Sequence, residues 1–200
     1  MTVGEKNRVP TLAEDHDFQT VATLTPVGIF LPQYNQLYLF FVTSKVTADC
    51  LVDLLEAWWH EVKDRFGSIR KWVINADNGP ENHSRRTQFM HRLVNWVNRE
   101  QIPIQLAYYP PYHSKYNEVE RTFGWLEQHW NGSLLDTVET VLKFAQTLEF
   151  KGQRPVVKLV TQVYKTGVKL SQKAMNELEK KFHRLPGLEK WFVEIPVSTA

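Results

Sequence analysis

The chain is short of several things, and each shortage excludes something. It has one cysteine, Cys50, in 200 residues. No disulfide framework is open to it, which points to a reducing compartment. No apolar run approaches the roughly 18 residues of a membrane span. The first twenty residues are polar and partly acidic, unlike a secretory leader, so a soluble cytoplasmic protein is expected. Formal net charge is only +2. Bulk charge therefore selects no partner, and any basic surface must be local. His83 and His113 stand in no zinc-like His/Cys spacing. There is no internal repeat, heptad run or low-complexity segment.

What is present reads as one globular domain with a tail, rich in aromatic residues. Residues 1–22 show no strong periodicity. Val27 to Leu31 and Leu37 to Val42 read as two strands around the polar link Gln33–Gln36, a hairpin pattern. Thr47 suits the cap of a helix whose apolar positions are Leu51, Leu54, Leu55, Trp58, Val62 and Phe66. Ile69 to Ala76 is a third strand, stopped by Asn78-Gly79-Pro80. A helix over 84–99, a fourth strand over 102–108, and helices from Asn117 and from Ser133 follow. Beyond Gly152 the pattern weakens to a helix from Ser171 to about His183. The expected division is an irregular segment 1–22, a core 23–150 and a helical C-terminal extension 151–200.

Strands alternating with helices imply a partly parallel sheet covered by helices. In such sheets sites gather beyond the carboxyl ends of strands. Asp77 lies at one such end, and Glu120 opens a helix in a later element. Phosphodiester chemistry develops charge on an already anionic centre, and two metal ions about 4 Å apart can stabilise both attacking and leaving oxygens. Hard Mg²⁺ prefers carboxylate oxygens, and Asp77 and Glu120 fit that demand. Each also has a structural reading. Asp77-Asn78-Gly79 is turn chemistry. Glu120 stands three residues after Asn117, the spacing of a capping box. Between the two acids, Tyr112, His113 and Lys115 offer donors and a stacking ring to nucleic acid, or form a proline-rich surface turn. Asn82, Arg85 and Arg86 suit phosphate oxygens, or form a solvated face.

The phrases carrying these residues are long. The run Asn75-Ala76-Asp77-Asn78-Gly79-Pro80-Glu81-Asn82-His83-Ser84-Arg85-Arg86 resembles the second-aspartate segment of the ISAzo-type (Rhodopirellula-type) insertion-sequence transposases, a DDE group. Tyr108 through Glu127 resembles that family's third-carboxylate segment. Asp15-His16-Asp17-Phe18, the run His129 to Leu135 and the run Leu185 to Phe192 are similar too, so the likeness extends from about Lys6 to Ile195. One departure is Glu118, where the family carries proline.

The resemblance implies an RNase H-like mixed sheet flanked by helices. Its carboxylates are an Asp on the first, central strand, an Asp after the fourth and a Glu on a following helix. It implies that Asp77 and Glu120 are the second and third, catalytic and metal-ligating with Mg²⁺ or Mn²⁺, two ions in the intact family. Asn82, Arg85, Arg86, Tyr112, His113 and Lys115 would then contact DNA, both transposon ends and target.

Only four strands are legible, and Met1-Thr2-Val3-Gly4-Glu5 falls just past the expected first strand. The expectation is therefore an N-terminally truncated DDE core, inactive alone. Its two cations would lack the acid they share, and it would self-associate or pair with the missing N-terminal part. The alternative is a non-catalytic DNA-binding or subunit-pairing remnant that modulates an intact transposase.

Overall fold

The structure, a computed structural model, describes residues 23–110 and 116–198. Strands β1 (Thr25–Leu31) and β2 (Gln36–Val42) form the expected antiparallel hairpin, with Thr25 opposite Val42 and Leu31 opposite Gln36. The link is one 3-10 turn closed by Asn35 at φ 49°, a left-handed position that asparagine tolerates.

Helix α1 (Ala48–Val62) starts where Thr47 Oγ1 accepts the Cys50 N–H at 3.2 Å. Cys50 is fully buried, and burial pushes its thiol pKa up. β3 (Trp72–Ala76), α2 (Thr87–Glu100) and β4 (Ile104–Tyr108) form a parallel crossover unit in which Ala76 lies opposite Tyr108. α3 (Glu118–Trp130) and α4 (Val138–Thr147) complete the expected helices. α4 begins later than Ser133 suggests, because Thr137 supplies the cap and accepts the Thr140 N–H.

The C-terminal stretch differs from the helical extension expected of it. Its described residues hold one short helix, α5 (Gln172–Glu179), and three strands. β5 (Val156–Val160) runs parallel to β2, while β7 (Phe192–Ile195) pairs antiparallel with both β4 and β6 (His183–Arg184). These strands are two to five residues long and interrupted by lysine, arginine and glutamate. Their pairing comes from distant partners, so local periodicity understates them.

The described strands make two sheets, in the orders β1-β2-β5 and β3-β4-β7-β6. One core joins them. Tyr38, Phe40 and Val42 from β2 share a cluster with Trp58 and Trp59 of α1, Trp72, Trp96 of α2, Ile104, Leu106 and Val193. Trp72 and Trp96 stack with ring centroids 4.1 Å apart. The alternate residues of β2, Leu37, Leu39 and Phe41, bury against Leu126 of α3 and Val141 and Ala145 of α4. β2 is thus apolar on both faces, as a strand between two helical layers must be. β1 and β3 are each the outer strand of their own sheet among the described residues.

Candidate functional site

Asp77 is the first residue past β3, and its side chain is exposed. At the same sheet end the backbone of β4 continues in register, with Tyr109 N–H donating to Ala76 O at 3.0 Å. Asp77 does not cap its own turn. Its Oδ1 accepts a 2.6 Å hydrogen bond from Asn82 Nδ2, and its Oδ2 lies over Gly79, where an added Cβ would come within 3.1 Å. The turn is close-packed here, since the same Cβ would lie 3.0 Å from Asn82 Oδ1. The other atom of the Asn82 amide, Oδ1, is buried with no hydrogen-bond partner among the described residues.

The Asn82 backbone is pinned from below. Tyr108 Oη donates to Asn82 O at 2.7 Å. Burial, with a smaller push from the Asp77 charge, lifts the Tyr108 phenol far above its ordinary range, so it stays a protonated donor. Tyr108, at the last position of β4, and Asn82 thus hold Asp77 from two elements.

Glu120 sits in the first turn of α3 and is exposed. The reciprocal capping box is not formed. Asn117 Oδ1 caps the helix by accepting the Val119 N–H at 3.2 Å, and Glu120 Oε1 lies 3.4 Å from Asn117 Nδ2. Glu118 is turned elsewhere, to Arg121 at 3.3 Å and Lys151 at 3.2 Å. Burial, with a smaller push from the Glu118 charge, raises the Tyr109 phenol pKa. α3 is seated by Val119: a Cβ on Gly28 of β1 would lie 2.7 Å from Val119 Cγ1. The residue before Glu120 is thereby locked into a notch that only glycine leaves open.

The basic residues divide. Arg86 is committed to structure, with Nη2 2.9 Å from Glu81 Oε2, and that same oxygen accepts the Ala48 N–H at the start of α1. Arg85 is exposed and has no carboxylate within 4.0 Å among the described residues. Tyr112, His113 and Lys115 lie outside the described residues.

The neighbouring loop contains groups that the sequence gives little sign of. Arg184 of β6 donates to Ser84 O at 2.8 Å and to Glu189 O at 3.0 Å, and pairs with Glu179 at 2.9 Å. Ser84 Oγ donates to Lys190 O at 3.2 Å. The β6–β7 connection is so tied to the loop after Asp77, and a cleft of about 230 Å³ opens between Asn78, His83, Ser84, Arg85 and Lys190. The run Leu185 to Phe192 was the available signal, legible as a phrase but without a position in space.

Asp77, held by a turn amide just past β3, and Glu120, in the first turn of α3, are two exposed carboxylates of a mixed α/β protein. The family model for the Rhodopirellula transposase DDE domain matches residues 2–196, and the chain belongs to that family. The mixed sheets and the five helices among the described residues are compatible with an RNase H-like DDE fold, and divalent metal use is general among DDE transposases. Comparison with curated proteins and with solved structures returns no match. Among the described residues no three His, Cys, Asp or Glu side chains gather as a metal site would require, and no helix is long and apolar enough to cross a membrane.

Proposed function

We propose that this chain is the core of a DNA strand-transfer enzyme in which Asp77 and Glu120 are two of three acidic ligands. Asp77 carries the reading, being held at the carboxyl end of β3 by Asn82 and Tyr108 with one face still open to solvent. In the reaction, water attacks a phosphodiester at the element end, and the bond to the 3′-oxygen breaks to leave a 3′-hydroxyl. That hydroxyl then attacks a target phosphodiester, forming one P–O bond as another breaks. Arg85 contacts the DNA backbone, the family resemblance assigns the same role to Tyr112, His113 and Lys115, and Arg86 stiffens the turn after Asp77 through Glu81. Work on DNA suits a cytoplasmic location.

Mg²⁺ or Mn²⁺ matches the hard oxygens of Asp77 and Glu120, but two carboxylates alone do not make a two-ion site. The third belongs on a further strand between β1 and β3. Among the described residues both are outer strands of sheets that share one core, so each has a ladder edge with no described partner. Without that strand the chain does not transpose. With it, by self-association or by pairing with a separate N-terminal part, the sheet closes.

Strand transfer with Mg²⁺ and duplexes bearing the element ends tests both parts. The chain alone should give no product. The chain joined to an upstream segment encoding an aspartate-bearing strand should give product that Asp77→Ala abolishes. Product from the chain alone would overturn the need for the strand, and a folded, extended chain without product would overturn the catalytic reading.

A second reading is a non-catalytic DNA-binding or subunit-pairing protein that modulates an intact transposase. Arg85 favours it, since that exposed cation has no carboxylate within 4.0 Å among the described residues and remains available to phosphate.

A further inference from the structure

The cleft between the loop after β3 and the β6–β7 connection is built almost wholly from donors. Arg85 and Lys190 are exposed cations with no carboxylate within 4.0 Å among the described residues. The acids nearby are occupied: Glu81 holds Arg86, Asp77 accepts from Asn82, and Glu189 turns back to accept the Gly187 N–H at 2.8 Å. His83 Nδ1 accepts the Arg85 backbone N–H at 3.2 Å, so a neutral His83 carries its proton on Nε2 as a further donor. Asn78 adds an amide. Lys190 is delivered by a fixed backbone. Its carbonyl accepts from Ser84, the carbonyl before it accepts from Arg184, and the next carbonyl, of Trp191, accepts the Tyr108 N–H at 2.8 Å. A water's share of liquid volume is about 30 Å³, so this cleft of about 230 Å³ takes a phosphate with its ester oxygens.

We propose that Lys190, Arg85 and His83 form a phosphodiester subsite that grips the DNA backbone beside Asp77, with Lys190 supplied by the C-terminal β6–β7 connection. The proposal rests on the DNA reading above and adds a contact from a segment remote in sequence from both acids. Such contacts position a strand without reading its bases. Each phosphate neutralised on duplex DNA contributes about 0.9 to the slope of log affinity against log salt.

The test is binding of the full chain to a fluorescent duplex of arbitrary sequence, followed by anisotropy between 50 and 200 mM KCl, with far-UV circular dichroism confirming each fold. Lys190→Ala and Arg85→Ala should each lower the slope by about 0.9, so that the loss of affinity at 50 mM KCl is about threefold greater than at 200 mM. Lys190→Arg should restore both, and Lys180→Ala, which removes an exposed lysine paired with Glu177, should change neither. In a ¹⁵N-histidine spectrum the His83 Nε2 signal should move with duplex at concentrations where inorganic phosphate leaves it still. Wild-type binding with slopes untouched by Lys190→Ala and Arg85→Ala would overturn the subsite while leaving the DNA reading intact. Equal response to inorganic phosphate would make it a small-anion pocket and overturn the proposal. Absence of salt-dependent binding by the wild type would overturn both.

Discussion

Asn82 donates from Nδ2 to Asp77 Oδ1 at 2.6 Å, five residues on and across the turn that ends β3. This one bond converts turn chemistry into a held carboxylate. It sits near the surface, so its worth is about 1 kcal/mol rather than that of a buried charge-assisted pair. Asn82→Ala should therefore lower stability by about 1 kcal/mol in urea unfolding. In the strand-extended chain it should depress strand transfer further than that loss explains. Equal activity at equal folded fraction would remove Asn82 from the site.

Gly28 is the second position where backbone dictates chemistry. A Cβ there meets Val119 Cγ1 at 2.7 Å and Phe123 at 3.3 Å, and Val119 is β-branched with little rotamer freedom. Gly28→Ala should cost about 1–3 kcal/mol by overpacking. Val119→Ala in the same background should recover part of it, a coupling a double-mutant cycle reads directly. Additive losses would show that α3 is not seated on β1 through this pair.

His83 should leave a signature in the pH profile. Its pKa is lowered by burial first, then by the charges of Arg86 and Arg85, against an opposing pull from Glu81. A histidine whose folded pKa lies below its unfolded value near 6.5 stabilises the neutral form. That contribution is complete above the unfolded value and is lost as pH falls through the folded one. Stability followed from pH 7.5 to 5 should drop in wild type and drop less in His83→Gln. Parallel profiles would deny the shift.

Trp96 is almost fully buried, stacked on Trp72, with its indole N–H unpartnered among the described residues. Trp96→Ala should cost about 3–5 kcal/mol. Trp96→Phe should recover most of it, because no hydrogen bond is lost with the indole. A large deficit in the phenylalanine variant would show that the N–H has a partner.

Sequence periodicity located β1 to β4 and α1 to α3 because each carries its own signal: alternating apolar residues, a 3.6 stripe, a Thr47 or Asn117 cap. It placed Asp77 at a strand end for the same reason. β5 to β7 were illegible, since Val156–Val160 and Phe192–Ile195 become strands through β2 and β4, far away in the chain. Arg85 and Arg86 looked equivalent in sequence. Only the position of Glu81 separates the structural one from the available one. Lys190 stood in a recognisable phrase, yet its nearness to His83 depends on Arg184 and Ser84 bonding across about 100 residues of chain.

Mn²⁺ titrated into the ¹⁵N-labelled chain tests most directly whether Asp77 and Glu120 serve one cation, through paramagnetic broadening of backbone amides. Residues 77–79 and 118–121 should broaden together at the same substoichiometric Mn²⁺, and Asp77→Ala should abolish the broadening around Glu120. Broadening around Glu120 that survives Asp77→Ala would contradict the shared site.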